Sequence, residues 1–219
     1  MSPPAQVAYW DRVAGEKTFG HPLDAALLGK LTGSGARILD LGCGYGRLAW
    51  SLVRAGFGRV VGIDASLEMA RRARRARTVV AVAEGGRLPF ASRTFDAALL
   101  FAVLTCVPED AEQRAIVGEL ERVLRPGGAL YASDLLLQGD ARNRERYRAH
   151  AAAGGAHGTF ALEGAVFRHH DPTWIEELLS GFERVERREV EVRTMNGNSA
   201  RGFQWVGRKP GLAAGKRGP

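Results

Sequence analysis

Residues 38–49 read ILDLGCGYGRLA, and this stretch restricts the fold more than any other. An apolar run (Ile38, Leu39, Leu41) leads into glycines at alternate positions, Gly42, Gly44 and Gly46, and a helix-forming run begins near Arg47. A strand that turns into a helix over residues without side chains lets a ligand approach the backbone closely. It does so at the carboxyl edge of a sheet, where α/β folds hold their ligands.

Two kinds of ligand suit such a turn. A dinucleotide fingerprint is G-x-G-x-x-G, its third glycine allowing close helix–strand packing over a pyrophosphate. Here the spacing is G-x-G-x-G, and the position a dinucleotide turn wants small is Arg47. Asp40, two places before the first glycine, would repel a pyrophosphate but attract, directly or through water, the ammonium of an amino acid. The charge argument favours S-adenosylmethionine, and on the glycines alone a dinucleotide stays open.

The rest of the chain alternates strand and helix. RVVGIDAS gives a second strand ending at Asp64, with Ser66 as N-cap of the next helix. TVVAVAE (78–84) reads as a third, buried strand and TFDAALLFAVL (94–104) as a fourth. A helix is predicted from about Glu109 to Leu124, broken by Arg125-Pro126-Gly127-Gly128 before a fifth strand at 129–136. Such alternation argues for parallel βαβ units. After a helix at about 172–180, EVEVRTM and RGFQWVGR flank Asn196-Gly197-Asn198, which predicts an antiparallel hairpin. The domain expectation is a helical cap over 1–35, a main domain over 36–210 and a disordered tail at 211–219. Within the main domain, the polar, Arg-rich segment 137–170 is too long for a plain connection and is read as a substrate lid.

Composition excludes several classes. No apolar run approaches the roughly 20 residues needed to span a bilayer, and MSPPAQVAYWD lacks the pattern of a secretory signal. Two cysteines, Cys43 and Cys106, indicate neither a disulfide framework nor a Cys-based zinc site. The expectation is a cytoplasmic protein without a metal. A net charge of +7 and the run Arg71, Arg72, Arg74, Arg75, Arg77 raise the question of a polyanion partner. On a helix from Ser66, however, Leu67, Met69, Ala70, Ala73 and Ala76 can share a buried side, leaving those arginines as a solvated face.

Taken together, the chain resembles the class I S-adenosylmethionine-dependent methyltransferases from about Ala36 to Lys209. ILDLGCGYG is similar to their first motif and VVGIDAS to their second. AEGGRLPFASRTFDAALLFAVLTCVPE is similar to the third and fourth, and LERVLRPGGALYASD to the fifth-strand region. The variety it looks most like is the small-molecule enzymes of ubiquinone and menaquinone biosynthesis and their natural-product relatives. The resemblance implies a Rossmann-like α/β fold: a mostly parallel seven-stranded sheet, a C-terminal antiparallel hairpin, and helices on both faces.

It also implies roles. Gly42, Cys43 and Gly44 would lie against the methionine part of the cofactor, with Asp40 fixing its ammonium and Asp64 the ribose hydroxyls. Ala65 and Met69 would pack on the adenine, Glu84-Gly85 would meet its amino edge, and Phe101 and Ala102 would border the sulfonium. Tyr9, Trp10 and Lys17 would close the front. The reaction is methyl transfer from S-adenosylmethionine, leaving S-adenosylhomocysteine, to an oxygen, nitrogen, sulfur or carbon of a small organic acceptor. Holding the acceptor in line with the S–CH₃ bond can supply roughly 7–11 kcal/mol. Where a base is needed, His21, His157, His169 and His170 are candidates, with His169 and His170 placed near the lid.

Leu100-Phe101-Ala102-Val103 is unlike the Asn/Asp-Pro-Pro-Tyr/Phe pattern of amino-directed nucleic-acid methylases, and the Pro-Cys pair of cytosine-C5 enzymes is absent around Cys106. Nucleic acid and membrane are therefore disfavoured as partners, and a monomer or homodimer is expected. Two alternatives remain: an RNA or protein methyltransferase using the Arg71–Arg77 face, and a non-catalytic protein that binds the cofactor.

Overall fold

The computed structural model describes residues 4–75, 79–82 and 87–211. Its centre is a run of parallel strands: β1 (Arg37–Leu41), β2 (Arg59–Asp64), β3 (Val79–Val82), β4 (Phe95–Phe101) and β5 (Leu124–Leu135). The hairpin β8 (Glu183–Arg193) and β9 (Ser199–Arg208) completes a seven-stranded sheet of order β3-β2-β1-β4-β5-β9-β8, with β9 antiparallel to β5. The predicted Asn196-Gly197-Asn198 turn closes the hairpin: Thr194 N–H donates to Asn198 O, and Gly197 adopts a φ of 79°.

Each inner strand has a near-continuous apolar sequence because both of its faces are covered. Ile38, Leu99 and Tyr131 point to a layer built with α2 (Ala25–Leu31) and α3 (Arg47–Arg54). Their neighbours Leu39, Leu100 and Leu130 point to the opposite layer, with α5 (Asp110–Val123) and α7 (Pro172–Leu178). The edge strand β8 differs: most of its residues are exposed or half-buried, and it is dense in Glu and Arg, a composition that discourages further strand pairing.

The fifth strand begins five residues earlier than the sequence predicts. Leu124 follows α5 directly and pairs with Phe95, with an irregularity before Ala97 pairs with Ala129. Lys209 holds the Pro126-Gly127-Gly128 bend in the sheet through paired backbone bonds to Gly127 and Gly128.

Segment 137–170 is folded. It holds α6 (Ala141–Ala152) and a separate hairpin of β6 (Thr159–Leu162) and β7 (Ala165–Arg168). This unit packs on α1 (Pro4–Val13): Tyr9 and Val13 share a cluster with Phe160, Ala165 and Phe167. The N-terminal helix, which ends at Val13, and the 137–170 segment are far apart in sequence but form one layer over the carboxyl edge of the sheet. On α4 (Leu67–Arg75), Met69, Ala70 and Ala73 are buried as expected, but Leu67 is 45% exposed. Among the described residues no helix is long and apolar enough to cross a membrane.

Candidate functional site

The sheet changes winding direction between β1 and β4, which opens a crevice beyond their carboxyl ends. Register brings the pieces level there: Leu41 lies beside both Ile63 and Leu100. The residues that follow, Gly42, Asp64, Phe101 and Ala102, therefore share one edge. The glycine turn is left-handed at each glycine, with φ of 69° at Gly42, 54° at Gly44 and 84° at Gly46, a region that side-chain-bearing residues rarely adopt. A Cβ at Gly42 would overlap Val103, and one at Gly44 would sit 3.1 Å from the Phe19 ring.

Asp64 holds this turn. One carboxylate oxygen accepts from Gly44 N–H at 2.8 Å and the other from Ser66 N–H at 2.9 Å. Burial raises its carboxyl above the ordinary aspartate range, and these two N–H groups oppose the rise. Ser66 caps α4 through its hydroxyl, to Met69 N–H, and that hydroxyl also donates to Asp11 of α1 at 2.6 Å.

A cavity of about 120 Å³ lies against the turn. Of the residues expected at a cofactor, Gly42, Cys43, Gly44, Asp64, Ala65, Met69, Phe101 and Ala102 are on its wall. Ala102 has a φ of 58°, unusual for alanine, and its N–H donates to Ser133 O at 2.9 Å. Such a strained residue at a site persists only where its surroundings hold it.

Three expected contacts are corrected. Asp40 is 1% exposed and lies off the cavity wall, and neither of its carboxylate oxygens has a hydrogen-bond partner among the described residues. Burial lifts it to about 7, against the pull of the guanidinium of Arg47, the first residue of α3. Tyr9 is in the core of the covering layer, edge-on to Trp10 and Phe167, and not on either cavity. Lys17 is engaged elsewhere, donating to Asn196 Oδ1 at 2.8 Å. Glu84, Gly85 and Arg77 lie outside the described residues, as do residues 212–219.

Trp10 and Phe19 line both this cavity and a second one of about 270 Å³. Phe19 is stacked on Tyr45 with ring centroids 5.7 Å apart. The Arg72 guanidinium lies 4.5 Å above Tyr45 and donates to Ala14 O and Lys17 O. Sequence reasoning missed this stack of Phe19, Tyr45 and Arg72, whose members come from three separate segments. It also changes the reading of the arginine run, since Arg72 ties α4 to the front loop, while Arg71 pairs with Glu68 on the surface.

The larger chamber lies under α6 and the β6–β7 hairpin. Its walls include Trp10, Phe160, Phe167, Leu162 and Met195, with His21, His169 and three arginines among the polar groups. Burial drops both histidines to about 3, so both rings are neutral, with Arg47 adding to the effect at His21 and Arg146 at His169. His21 Nδ1 lies 3.1 Å from Ser133 Oγ, and His169 Nδ1 lies 2.6 Å from the Tyr147 hydroxyl. His170 does not reach either cavity. It is fully buried, with Nε2 at 3.0 Å from Gln113 Nε2 and Nδ1 at 3.1 Å from Leu135 O, so it is a core residue and is withdrawn as a base. His157 is absent from both walls. Cys106 lines both cavities, but burial pushes its thiol up and removes the thiolate a nucleophile needs.

Comparison with known proteins finds methyltransferases. A methyltransferase domain family matches residues 39–132. An O-methyltransferase of Aspergillus nomiae is 32% identical over 151 residues, 64% of this chain and 66% of that protein. A ubiquinone biosynthesis O-methyltransferase of Xanthomonas oryzae is 32% identical over 58% of this chain and 56% of its own length. The chain therefore spans less than two thirds of the length of these curated relatives. A crystal structure of an SAM-dependent methyltransferase from Methanosarcina mazei superposes with a TM-score of 0.79 at 28% identity, over 84% of this chain and 97% of that one.

Proposed function

We propose, from the premise that this chain belongs to the class I S-adenosylmethionine-dependent methyltransferases, that it transfers a methyl group to a small organic acceptor. One observation carries the reading: two adjoining cavities share Trp10, Phe19, Ala102 and Cys106. The first is walled by the glycine turn and Asp64, and the second is roofed by the 137–170 segment.

The first cavity fits a nucleoside-linked amino acid. Gly42 and Gly44 leave backbone open on the ligand side, where the φ values exclude most other residues. Each Asp64 oxygen accepts one backbone N–H, and an ionised carboxylate has about four lone-pair sites, so capacity remains for ribose hydroxyls. Met69 and Ala65 supply an apolar wall for a base. When bound, S-adenosylmethionine supplies an electrophilic methyl on a sulfonium.

The chain's own contribution is chiefly positional. Trp10, Phe19 and Ala102 form the shared boundary across which the acceptor must face the methyl donor, and exclusion of water there strengthens orientation. His21 and His169 are the remaining candidates to accept a proton from the acceptor. The Tyr147 hydroxyl fixes the His169 ring and itself accepts from Gln138 N–H at 3.2 Å. We read residues 137–170, together with the 1–35 cap, as the element that encloses the acceptor. The two cysteines are free, which suits a reducing cytoplasmic setting, and a monomer or homodimer is the working state.

Calorimetric titration with S-adenosylhomocysteine tests the first cavity, and release of S-adenosylhomocysteine from S-adenosylmethionine over a panel of small hydroxyl, amine and thiol acceptors tests the second. Binding at micromolar affinity with turnover on at least one acceptor is expected. Absence of binding would overturn the reading.

A further inference from the structure

The wall of the acceptor chamber carries an excess of positive charge, with Asp140 at the start of α6 the nearby carboxylate that offsets part of it. Arg142, Arg146 and Arg193 are on its wall, and no Asp or Glu is. Elsewhere in the protein arginines find carboxylates: Arg114 pairs with Glu177, Arg122 with Glu119, Arg188 with Asp24 and Arg201 with Glu189. Among the described residues no ion pair joins any of the three chamber arginines to a carboxylate. Arg146 is the most constrained of them. Its guanidinium lies 3.6 Å over the Phe160 ring, and its Nε is buried with no hydrogen-bond partner among the described residues. Burial and the neighbouring charge of Arg142 both disfavour its cationic form, against the smaller opposing pull of Tyr147 and Asp140.

A buried donor without a partner is costly, and so are two like charges placed side by side. An arrangement of this kind is relieved by an anion, and the planar guanidinium fork matches a carboxylate in two-point contact. The two wall histidines are neutral and do not add to the charge. The rest of the wall describes the body of the ligand. Trp10, Phe19, Phe160 and Phe167 offer ring faces and edges, and a chamber of about 270 Å³ suits one or two rings, given that benzene occupies an engineered cavity of about 150 Å³.

We infer that the acceptor is an aromatic acid whose carboxylate is held by Arg142 and Arg146 on α6, with its ring among the chamber aromatics. The inference rests on the methyl-transfer reading, because it assigns the acceptor of that same reaction. It makes α6 the element that selects the substrate by charge. The bound carboxylate would satisfy Arg146 Nε and neutralise the Arg142–Arg146 pair.

The test uses the protein saturated with S-adenosylhomocysteine and matched probes: 4-hydroxybenzoate and 1-hydroxy-2-naphthoate against their carboxamides. Titration calorimetry should show at least one acid bound about tenfold or more tightly than its amide, the size expected for a charge-assisted contact. Arg142 is exposed, so Arg142→Gln can be made without disturbing the core. It should reduce the preference, and Arg142→Gln with Arg146→Gln should abolish it. S-adenosylhomocysteine affinity should stay within about twofold of wild type, since neither arginine is on the first cavity. Equal binding of acid and amide by the wild type, a preference that survives both substitutions, or no acid bound below millimolar concentration would each overturn the proposal while leaving cofactor binding untouched. A wild type that fails to bind S-adenosylhomocysteine would overturn the methyl-transfer reading and this proposal with it.

Discussion

Two tasks are assigned to the Asp64 carboxylate, and they are separable by measurement. It ties Gly44 and Ser66 together through their N–H groups, and it is the acceptor we assign to the ribose. Asp64→Ala should therefore lower S-adenosylhomocysteine affinity by about tenfold or more and also cost roughly 1–3 kcal/mol of stability, because two N–H donors lose their acceptor. Titration and urea unfolding report the two effects. Unchanged affinity in a destabilised protein would leave Asp64 only its structural task. The adjacent histidines divide by location in the same way. His170→Ala removes contacts to Gln113 and Leu135 in the core and should cost about 1–3 kcal/mol with kcat of the folded protein within about twofold of wild type. His169→Ala opens the chamber wall beside Tyr147 and should lower kcat. If the two variants exchange these effects, the placement of the chemistry is wrong.

The covering layer is the element through which acceptor binding and fold are coupled. Phe167 of β7 is edge-on to Tyr9 and Trp10 of α1 and stacked on Phe160 of β6. Phe167→Ala removes contacts from a cluster that is separate from the sheet's two main layers, at a cost of roughly 3–5 kcal/mol to that cluster. Amides of α6 and β6–β7 should then exchange hydrogen at least tenfold faster while those of β4 and β5 stay protected, as expected for a local opening unit. Uniform acceleration across the sheet would mean that the layer is not a separate unit. This layer was also the hardest part to read from sequence. The parallel strands were legible because burial on both faces leaves runs such as FDAALLF almost wholly apolar. The glycine turn was legible because its backbone needs glycine. Segment 137–170 has an Arg-rich α6 and apolar runs of only three residues, FAL and AVF, in its hairpin, so neither α6 nor the β6–β7 hairpin has a clear period. Its partner helix lies at the other end of the chain. For the same reason Tyr9, read as a cofactor contact, proved to be a core residue of that layer, and Phe19 with Tyr45 went unnoticed. Their stacking depends on long-range contacts that no local pattern records.

For the whole molecule, buried ionisable groups of opposite kinds set the dependence of stability on pH. His21, His169 and His170 are lowered by burial from 6.5 to about 3. As pH falls below 6.5 the unfolded chain takes up three protons that the folded protein does not, and stability falls. Burial raises Asp40 to about 7, Asp134 to about 6, and Asp64 above its ordinary 3.8. Below their folded values these carboxyls hold protons that the unfolded chain releases until about 3.8, so stability rises as pH falls. Between about pH 4 and 6 the two sets oppose one another, three histidines against Asp40 and Asp134 with Asp64 adding to the opposition, so stability should fall more gently than the histidines alone would make it. As pH falls through about 3.8 the unfolded carboxyls take up protons as well, so their opposition fades while the histidines stay neutral down to about 3, and the loss of stability per pH unit should steepen. Asp24 and Asp140, lowered by hydrogen bonds in the folded state, add to that loss. Asp40→Asn provides the sharper check. It removes one opposing proton without changing side-chain volume appreciably, so the fall in stability from pH 6 towards 4 should steepen by about 1.4 kcal/mol per pH unit relative to wild type. Urea midpoints measured from pH 3 to 7 on both proteins would show this, and parallel profiles would mean that Asp40 is ionised in the folded protein.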